Sequence, residues 1–241
     1  MSRRIKLGFN GSGDSNGTAV ASKASKGANT NNFTQSTSSR KPTTKSAGNA
    51  HATLNPTITT VSCDGGDFMS LASSETLATA SEWTIIVAWT NGDYTNDTWL
   101  ISSNSNDYHW GIKAGGAAVI FKANGSKASA GERDYPTNST ANSTTSYTFG
   151  SDVEMLAIVM DGDQSPKTCD IYNIDGDKIA DAVAVNAAGI STSFPIDHII
   201  GKSDGTLGLN GELLDIKIYN TVLTASLIKG HGNGYKGCKN D

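Results

Sequence analysis

Leu209-Asn-Gly-Glu-Leu-Leu-Asp-Ile-Lys-Ile-Tyr-Asn-Thr-Val-Leu-Thr224 is the stretch on which the fold of this 241-residue chain turns. Between Glu212 and Tyr219 the side chains alternate, with Leu214, Ile216 and Ile218 on one face and Asp215, Lys217 and Tyr219 on the other. A period of two predicts a strand laid on a core. Thr224 then stands ready to cap a short apolar turn, which predicts the chain's one helix over residues 224–229.

Working outward, short β-branched and aromatic runs recur between Gly, Asn and Asp clusters. They predict strands over 58–63, 67–71, 83–90, 98–102, 109–113, 118–122, 145–149, 153–160, 169–174, 178–185, 198–201 and 212–219. In 83–89 both sets of alternate positions are apolar (Trp83, Ile85, Val87 and Trp89 against Ile86 and Ala88), so that strand is expected to be covered on both sides. Asp175-Gly176 predicts a tight hairpin and Asp161-Gly162 a second turn. Residues 91–97 and 123–144 are read as loops, the second long enough to carry function. Many evenly spaced strands with a single helix indicate an all-β sandwich rather than a βαβ fold.

Composition agrees with turn-rich β structure: only 17% of residues are charged and 7% aromatic, and Gly numbers 26. The net charge of −4 hides two opposed parts. Residues 1–50 carry eight Lys/Arg against Asp14 alone, whereas the rest carries eleven against twenty-two acids. The sequence therefore divides into an extended basic, low-complexity arm (1–55) and a sandwich (56–241). Poor in apolar side chains, the arm by itself is expected to be disordered unless a neighbouring subunit orders it. Arg3, Arg4, Ile5, Lys6, Leu7, Phe9, Lys23, Lys26, Phe33, Arg40 and Lys41 are its candidate assembly contacts, and alternating Ile5, Leu7 and Phe9 suit addition to a neighbour's sheet edge. Nucleic acid is a poor match, because the arm lacks interleaved aromatics for base stacking. The start has no apolar h-region, so no secretion signal is expected, and no apolar run approaches a membrane span. Cys63, Cys169 and Cys238 are odd in number and widely spaced, and reduced thiols are expected.

The 209–224 segment resembles the final strand and helix of LamG-like, concanavalin A-like jelly-roll domains, in which a Gly-x-Ile/Leu strand ends in Tyr-Asn before a Leu-Thr turn into a helix. Trp83-Thr-Ile-Ile-Val-Ala is similar to the family's early core strand, and 155–160, Asp161-Gly162, 169–172 and Asp175-Gly176 follow its strand, turn, strand and hairpin order. The resemblance spans roughly residues 62–235 and implies a jelly-roll β-sandwich with one short C-terminal helix. Lectins, glycosidases and adhesion modules share that fold, so it does not choose among them. An unsignalled Thr/Asn/Gly-rich jelly roll behind a basic arm also resembles the cement, decoration and fibre proteins of tailed-phage virions.

The family's retaining glycosidases present paired carboxylates from a strand. Here Glu212 and Asp215 are three apart, which on a regular strand sets them on opposite faces, and Lys217 stands where another acid is wanted. They read as solvated charges, and no enzyme is expected. His51, His109, His198 and His231 show no ligand or nucleophile spacing, although a dispersed Ser-His-Asp set is geometric and escapes sequence. No cofactor is expected; calcium is the metal to consider, with Asp93, Asn96 and Asp97 in one oxygen-rich loop and Asp161 with Asp163 in another, neither matching the twelve-residue calcium loop. Arg133 and Tyr135 are candidate surface contacts, with loop anchoring the equal alternative for Tyr135.

Two functions follow as expectations. The first is a virion structural protein, assembled in the host cytoplasm, whose arm grips capsid or other virion proteins, or further copies of itself in a homo-oligomer or lattice, while the sandwich projects. On that reading a chain lacking residues 2–50 keeps a folded body but does not join particles. The second is a lectin-like module recognising host glycan through loops around Trp99, Tyr108, Trp110 or Tyr135, with a glycoside hydrolase third.

Overall fold

A computed structural model describes residues 5–9, 17, 19–20, 22–23, 32–45, 54, 57–78, 82–104, 108–112, 114–116, 119–123, 132–135, 147–150, 152–161, 169–183, 193–202 and 204–239. Two antiparallel sheets face each other as a jelly-roll β-sandwich, with one α-helix among the described residues, α1 (Ala225–Lys236), outside the first. The strands are β1 (Ile5–Phe9), β2 (Ser22–Lys23), β3 (Phe33–Thr34), β4 (Thr43–Lys45), β5 (Thr60–Asp64), β6 (Met69–Ala78), β7 (Trp83–Thr90) and β8 (Thr98–Ser102), then β9 (Tyr108–Ile112), β10 (Val119–Ala123), β11 (Glu132–Tyr135), β12 (Glu154–Met160), β13 (Cys169–Tyr172), β14 (Lys178–Val183), β15 (Ser193–Ile199) and β16 (Asn210–Tyr219). The first sheet runs β14-β13-β12-β7-β16-β5-β4, and β1 pairs with β16 beyond the end of β5; the second runs β11-β10-β9-β8-β15-β6-β3-β2.

Alternation explains the two apolar layers. Along β7, Trp83, Ile85, Val87 and Trp89 enter the core between the sheets, while Ile86 and Ala88 turn outward beneath α1 with Met155, Ala157 and Val159 of β12. The strand is thus covered on both sides, as its sequence requires. Gly176, with φ of 75°, makes the β13–β14 hairpin turn, where Asn173 Oδ1 accepts from the Asp175 and Asp177 amides.

The long final strand departs from simple alternation. A bulge between Leu213 and Asp215 shifts the register against β7. Leu213, Ile216 and Ile218 therefore face the inter-sheet core, and Leu214 turns to the helix side. One extra residue reverses every side-chain direction before it. In consequence Glu212 and Asp215 are not solvated charges on opposite faces. Both are buried, Glu212 accepting from the Thr60 hydroxyl and Asp215 from Tyr235, with Lys217 as its ion-pair partner.

Other corrections concern extent. The helix continues to Lys236 despite Gly230, Gly232 and Gly234, because Ile228, Gly232 and Tyr235 form a buried stripe at i, i+4 and i+7. Gly232 is needed for that docking, since a Cβ there would lie 1.8 Å from the Ile174 carbonyl oxygen. Within the expected loop 123–144, Glu132–Tyr135 pairs with β10 as an edge strand, whereas residues 147–150 form no strand.

The largest departure lies in the arm. Its described parts are built into the sandwich of their own chain: β1 and β4 extend the first sheet, β2 and β3 the second, and Phe33 and Val20 sit in the main core. Counting only the arm's own apolar residues hid this outcome. Two inserted side chains draw on a core supplied by the rest of the chain, and edge strands ask only for backbone bonds.

Candidate functional site

Three connections meet at one end of the sandwich: residues 64–68 between β5 and β6, 91–97 between β7 and β8, and 204–210 entering β16. Between them is a pocket of about 340 Å³, with Asp64, Asp93, Asn96, Asp97, Thr206 and Asn210 among its polar lining. The loops are tied to one another through their backbones. Gly208 donates to the Gly65 carbonyl at 2.9 Å, Gly65 to Leu209 at 3.0 Å, Asp93 to Asn210 at 2.8 Å and Trp99 to Leu207 at 2.6 Å. Such cross-ties make a preformed cavity.

The same side-chain device stiffens two of the rims. Asp93 Oδ1 accepts from the amide and hydroxyl of Thr95, and Asp204 Oδ1 from the amide and hydroxyl of Thr206. Asp93 Oδ2 also accepts from the Asn210 amide at 3.0 Å, linking two loops. These hydrogen bonds, led in each case by the threonine hydroxyl, hold both carboxyls below their ordinary range. Asp67, behind the pocket, accepts from the Asp64 amide, and burial followed by the nearby Asp64 charge pushes its pKa up to about 6.

Leu207 in the pocket wall has a strained backbone. Among the described residues, three that are not glycine adopt positive φ: Asn91 at 54°, Ile200 at 59° and Leu207 at 56°. Asn tolerates that region, but a β-branched Ile and a Leu do not, and each such residue costs on the order of 1–3 kcal/mol unless its surroundings impose it. Ile200 is held by its amide bond to Leu100 and its carbonyl bond from Leu209.

The oxygen-rich loop identified in the sequence, Asp93, Asn96 and Asp97, is therefore part of a cavity. Its carboxylates already receive N–H donors, Asp97 from Ala114 as well as Asp93 from Thr95 and Asn210. Among the described residues no three His, Cys, Asp or Glu side chains are placed to hold a metal ion. Asp161 directly follows β12, and Asp163 lies outside the described residues.

The other sequence candidates scatter. Trp110 is fully buried, and Trp99 lies against the His109 ring at 3.9 Å with Lys202 Nζ 5.3 Å from its centroid. Neither offers an open face for sugar stacking. Tyr108, Arg133 and Tyr135 belong to β9 and β11, and only their backbone pairing is described. Arg3, Arg4 and Lys26 lie outside the described residues; Ile5, Lys6, Leu7, Phe9 and Lys23 are described as strand backbone, and Phe33 is core. Arg40 and Lys41 line a second cavity with Phe68 and Ser70.

One arrangement escaped sequence reading because its members are far apart. Ser70 Oγ lies 3.0 Å from His198 Nδ1, and His198 Nε2 lies 2.7 Å from Asn104 Oδ1. Burial lowers the His198 pKa and keeps the ring neutral. The geometry imitates a nucleophile and base, but Ser70 is paired on both sides, to β15 and to β3, so its amide is committed to a ladder rather than aimed at an oxyanion. It fixes the direction of one hydroxyl.

The two sheets and the helix packed outside them define a jelly-roll β-sandwich domain. The binding domain of Paraclostridial Mosquitocidal Protein 1 has this fold, with a TM-score of 0.58 at 15% identity over 96% of this chain and 52% of that one. So does the binding domain of botulinum neurotoxin serotype D, with a TM-score of 0.50 at 13% identity over 95% and 50%. A looser match, TM-score 0.42 at 15% identity over 63% and 83%, is the Ruminococcus gnavus sialidase CBM40 domain bound to α2,3-sialyllactose. The chain spans about half the length of the two toxin binding domains. At these identities the likeness is one of fold. No protein-family model and no curated protein matches the chain.

Proposed function

We infer that the chain is a non-catalytic carbohydrate-binding module, and that the pocket among residues 64–68, 91–97 and 204–210 receives a sugar. The observation that carries this reading is the strained backbone of Leu207, a residue of the pocket wall held at a φ of 56°. Strain retained at one place on a fold points to a function there.

The chemistry suits a polyol. Carboxylates of Asp64, Asp93 and Asp97 accept from sugar hydroxyls, the Asn96 and Asn210 amides both donate and accept, and Leu207 and Gly208 supply an apolar flank. Toxin binding domains of the same fold support a binding role in general, without naming a ligand. Placement on a virion as a decoration or cement protein is a separate proposal, supported by the basic composition of residues 1–50, and finding the chain in purified particles would test it.

A glycan array probed with the full chain tests the module, and Asn96→Ala with Asp97→Asn tests the pocket. Losing one or two hydrogen bonds should weaken binding of the best ligand roughly tenfold, with the melting temperature unchanged. Undiminished binding by the double variant would move the site elsewhere.

A further inference from the structure

Beside the sugar pocket a second cavity of about 490 Å³ opens over Phe68, walled by Thr34, Thr37, Ser70, Arg40 and Lys41. Its described lining holds two cations and no carboxylate, in a chain where Asp and Glu outnumber Lys and Arg by 23 to 19. Arg40 is not a loose surface cation. Its carbonyl accepts from the Phe68 amide at 3.3 Å, its guanidinium sits 5.9 Å from the Phe68 ring centroid, and it crosses Gly205, where a Cβ would lie 2.7 Å from Nε. Any side chain at 205 would displace it.

The neutral groups of the lining are held in place as well. His198 fixes the Ser70 hydroxyl, and Gln35 is buried with its amide donating to the Phe68 carbonyl at 3.1 Å and its oxygen accepting from Thr37 at 2.9 Å. A planar fork and an ammonium in one groove match an oxyanion with several acceptors. Arg40 of the second cavity lies against Gly205, the chain neighbour of Thr206 in the wall of the first.

We propose that this groove is an anionic subsite, and that the module's ligand is an acidic oligosaccharide whose sulfate or carboxylate lies between Arg40 and Lys41 while a neutral sugar fills the adjoining pocket. The proposal rests on the glycan reading for the identity of the ligand. Opposite charge in the two cavities fixes the orientation of such a chain, because a reversed ligand would place its anion among Asp64, Asp93 and Asp97.

Calorimetry on the full chain compares a sulfated oligosaccharide, a uronate-bearing one and their uncharged counterpart, against wild type, Lys41→Gln and Arg40→Gln. Each substitution should weaken a charged ligand roughly tenfold and the neutral one by less than about twofold; whichever charged ligand binds names the source of the anion. Equal affinity of wild type for charged and neutral ligands, or no effect of either substitution, overturns the subsite. Should Arg40→Gln fail to fold, Lys41→Gln carries the comparison. If no oligosaccharide of any charge binds, the glycan reading fails and inorganic sulfate, followed through the His198 ring resonances, decides the groove separately. A saturable shift lost in Lys41→Gln upholds it, and no shift, or one surviving the substitution, rejects it.

Discussion

Leu207 is half-exposed, with φ of 56°, and its carbonyl is tied to the Trp99 amide. Replacing it by glycine relieves the backbone at little loss of packing, so Leu207→Gly should leave the melting temperature unchanged or raise it, by the equivalent of about 1 kcal/mol, while weakening sugar binding. Leu207→Ala removes the same wall but keeps the strain, and should not gain stability. Asp67 makes a pH prediction. Its carboxyl is raised to about 6 from an ordinary 3.8, so the folded state favours the proton. Its contribution is present below pH 4 and lost as pH rises through 6, and Asp67→Asn should flatten unfolding free energy over that window in denaturant titrations. At this scale the sequence showed Asp93, Asn96 and Asp97 as one oxygen-rich loop because they are neighbours in the chain. Asp64, Thr206 and Asn210 complete the pocket from afar, and no local pattern reveals them. The positive φ of Ile200 and Leu207 was equally hidden, since neither residue type favours that region.

Between β16 and α1 the decisive contacts are polar. Lys217 donates to the Tyr235 hydroxyl at 2.9 Å, Tyr235 donates to Asp215, Lys217 pairs with Asp215, and Tyr219 meets His231 at 3.1 Å. Burial raises the Asp215 carboxyl even with Lys217 beside it. Asp215→Ala leaves the Lys217 ammonium without its carboxylate and the Tyr235 hydroxyl proton without an acceptor, and should lower stability by about 3 kcal/mol in chemical denaturation, with loss of helical signal if α1 undocks. Strand boundaries were largely legible: 83–90 and 98–102 match β7 and β8 residue for residue. What period-two counting could not register was the bulge in β16, which reversed the assignment of Leu214 and brought both acids inside. The helix was underestimated because propensity penalises Gly230, Gly232 and Gly234, whereas close approach to Ile174 requires the second of them.

Taken as a whole, the molecule is less divided than its composition. Residues 1–50 differ sharply in charge and texture, yet β1 to β4 complete both sheets and Phe33 is fully buried. Phe33→Ala should cost about 3–5 kcal/mol, as for a core aromatic. Deleting residues 2–50 should abolish the cooperative melt rather than leave an intact body, contrary to the expectation from composition. No helix among the described residues is long and apolar enough to cross a membrane. The opposed charges of the two parts of the sequence reappear in space as two cavities, one lined by Asp64, Asp93 and Asp97 and the other by Arg40 and Lys41. Hydrogen exchange of the full chain with and without its best array ligand tests the glycan site most directly. Protection confined to residues 64–68, 91–98 and 204–210 is the predicted result. Protection elsewhere, with these three segments unchanged, would contradict it.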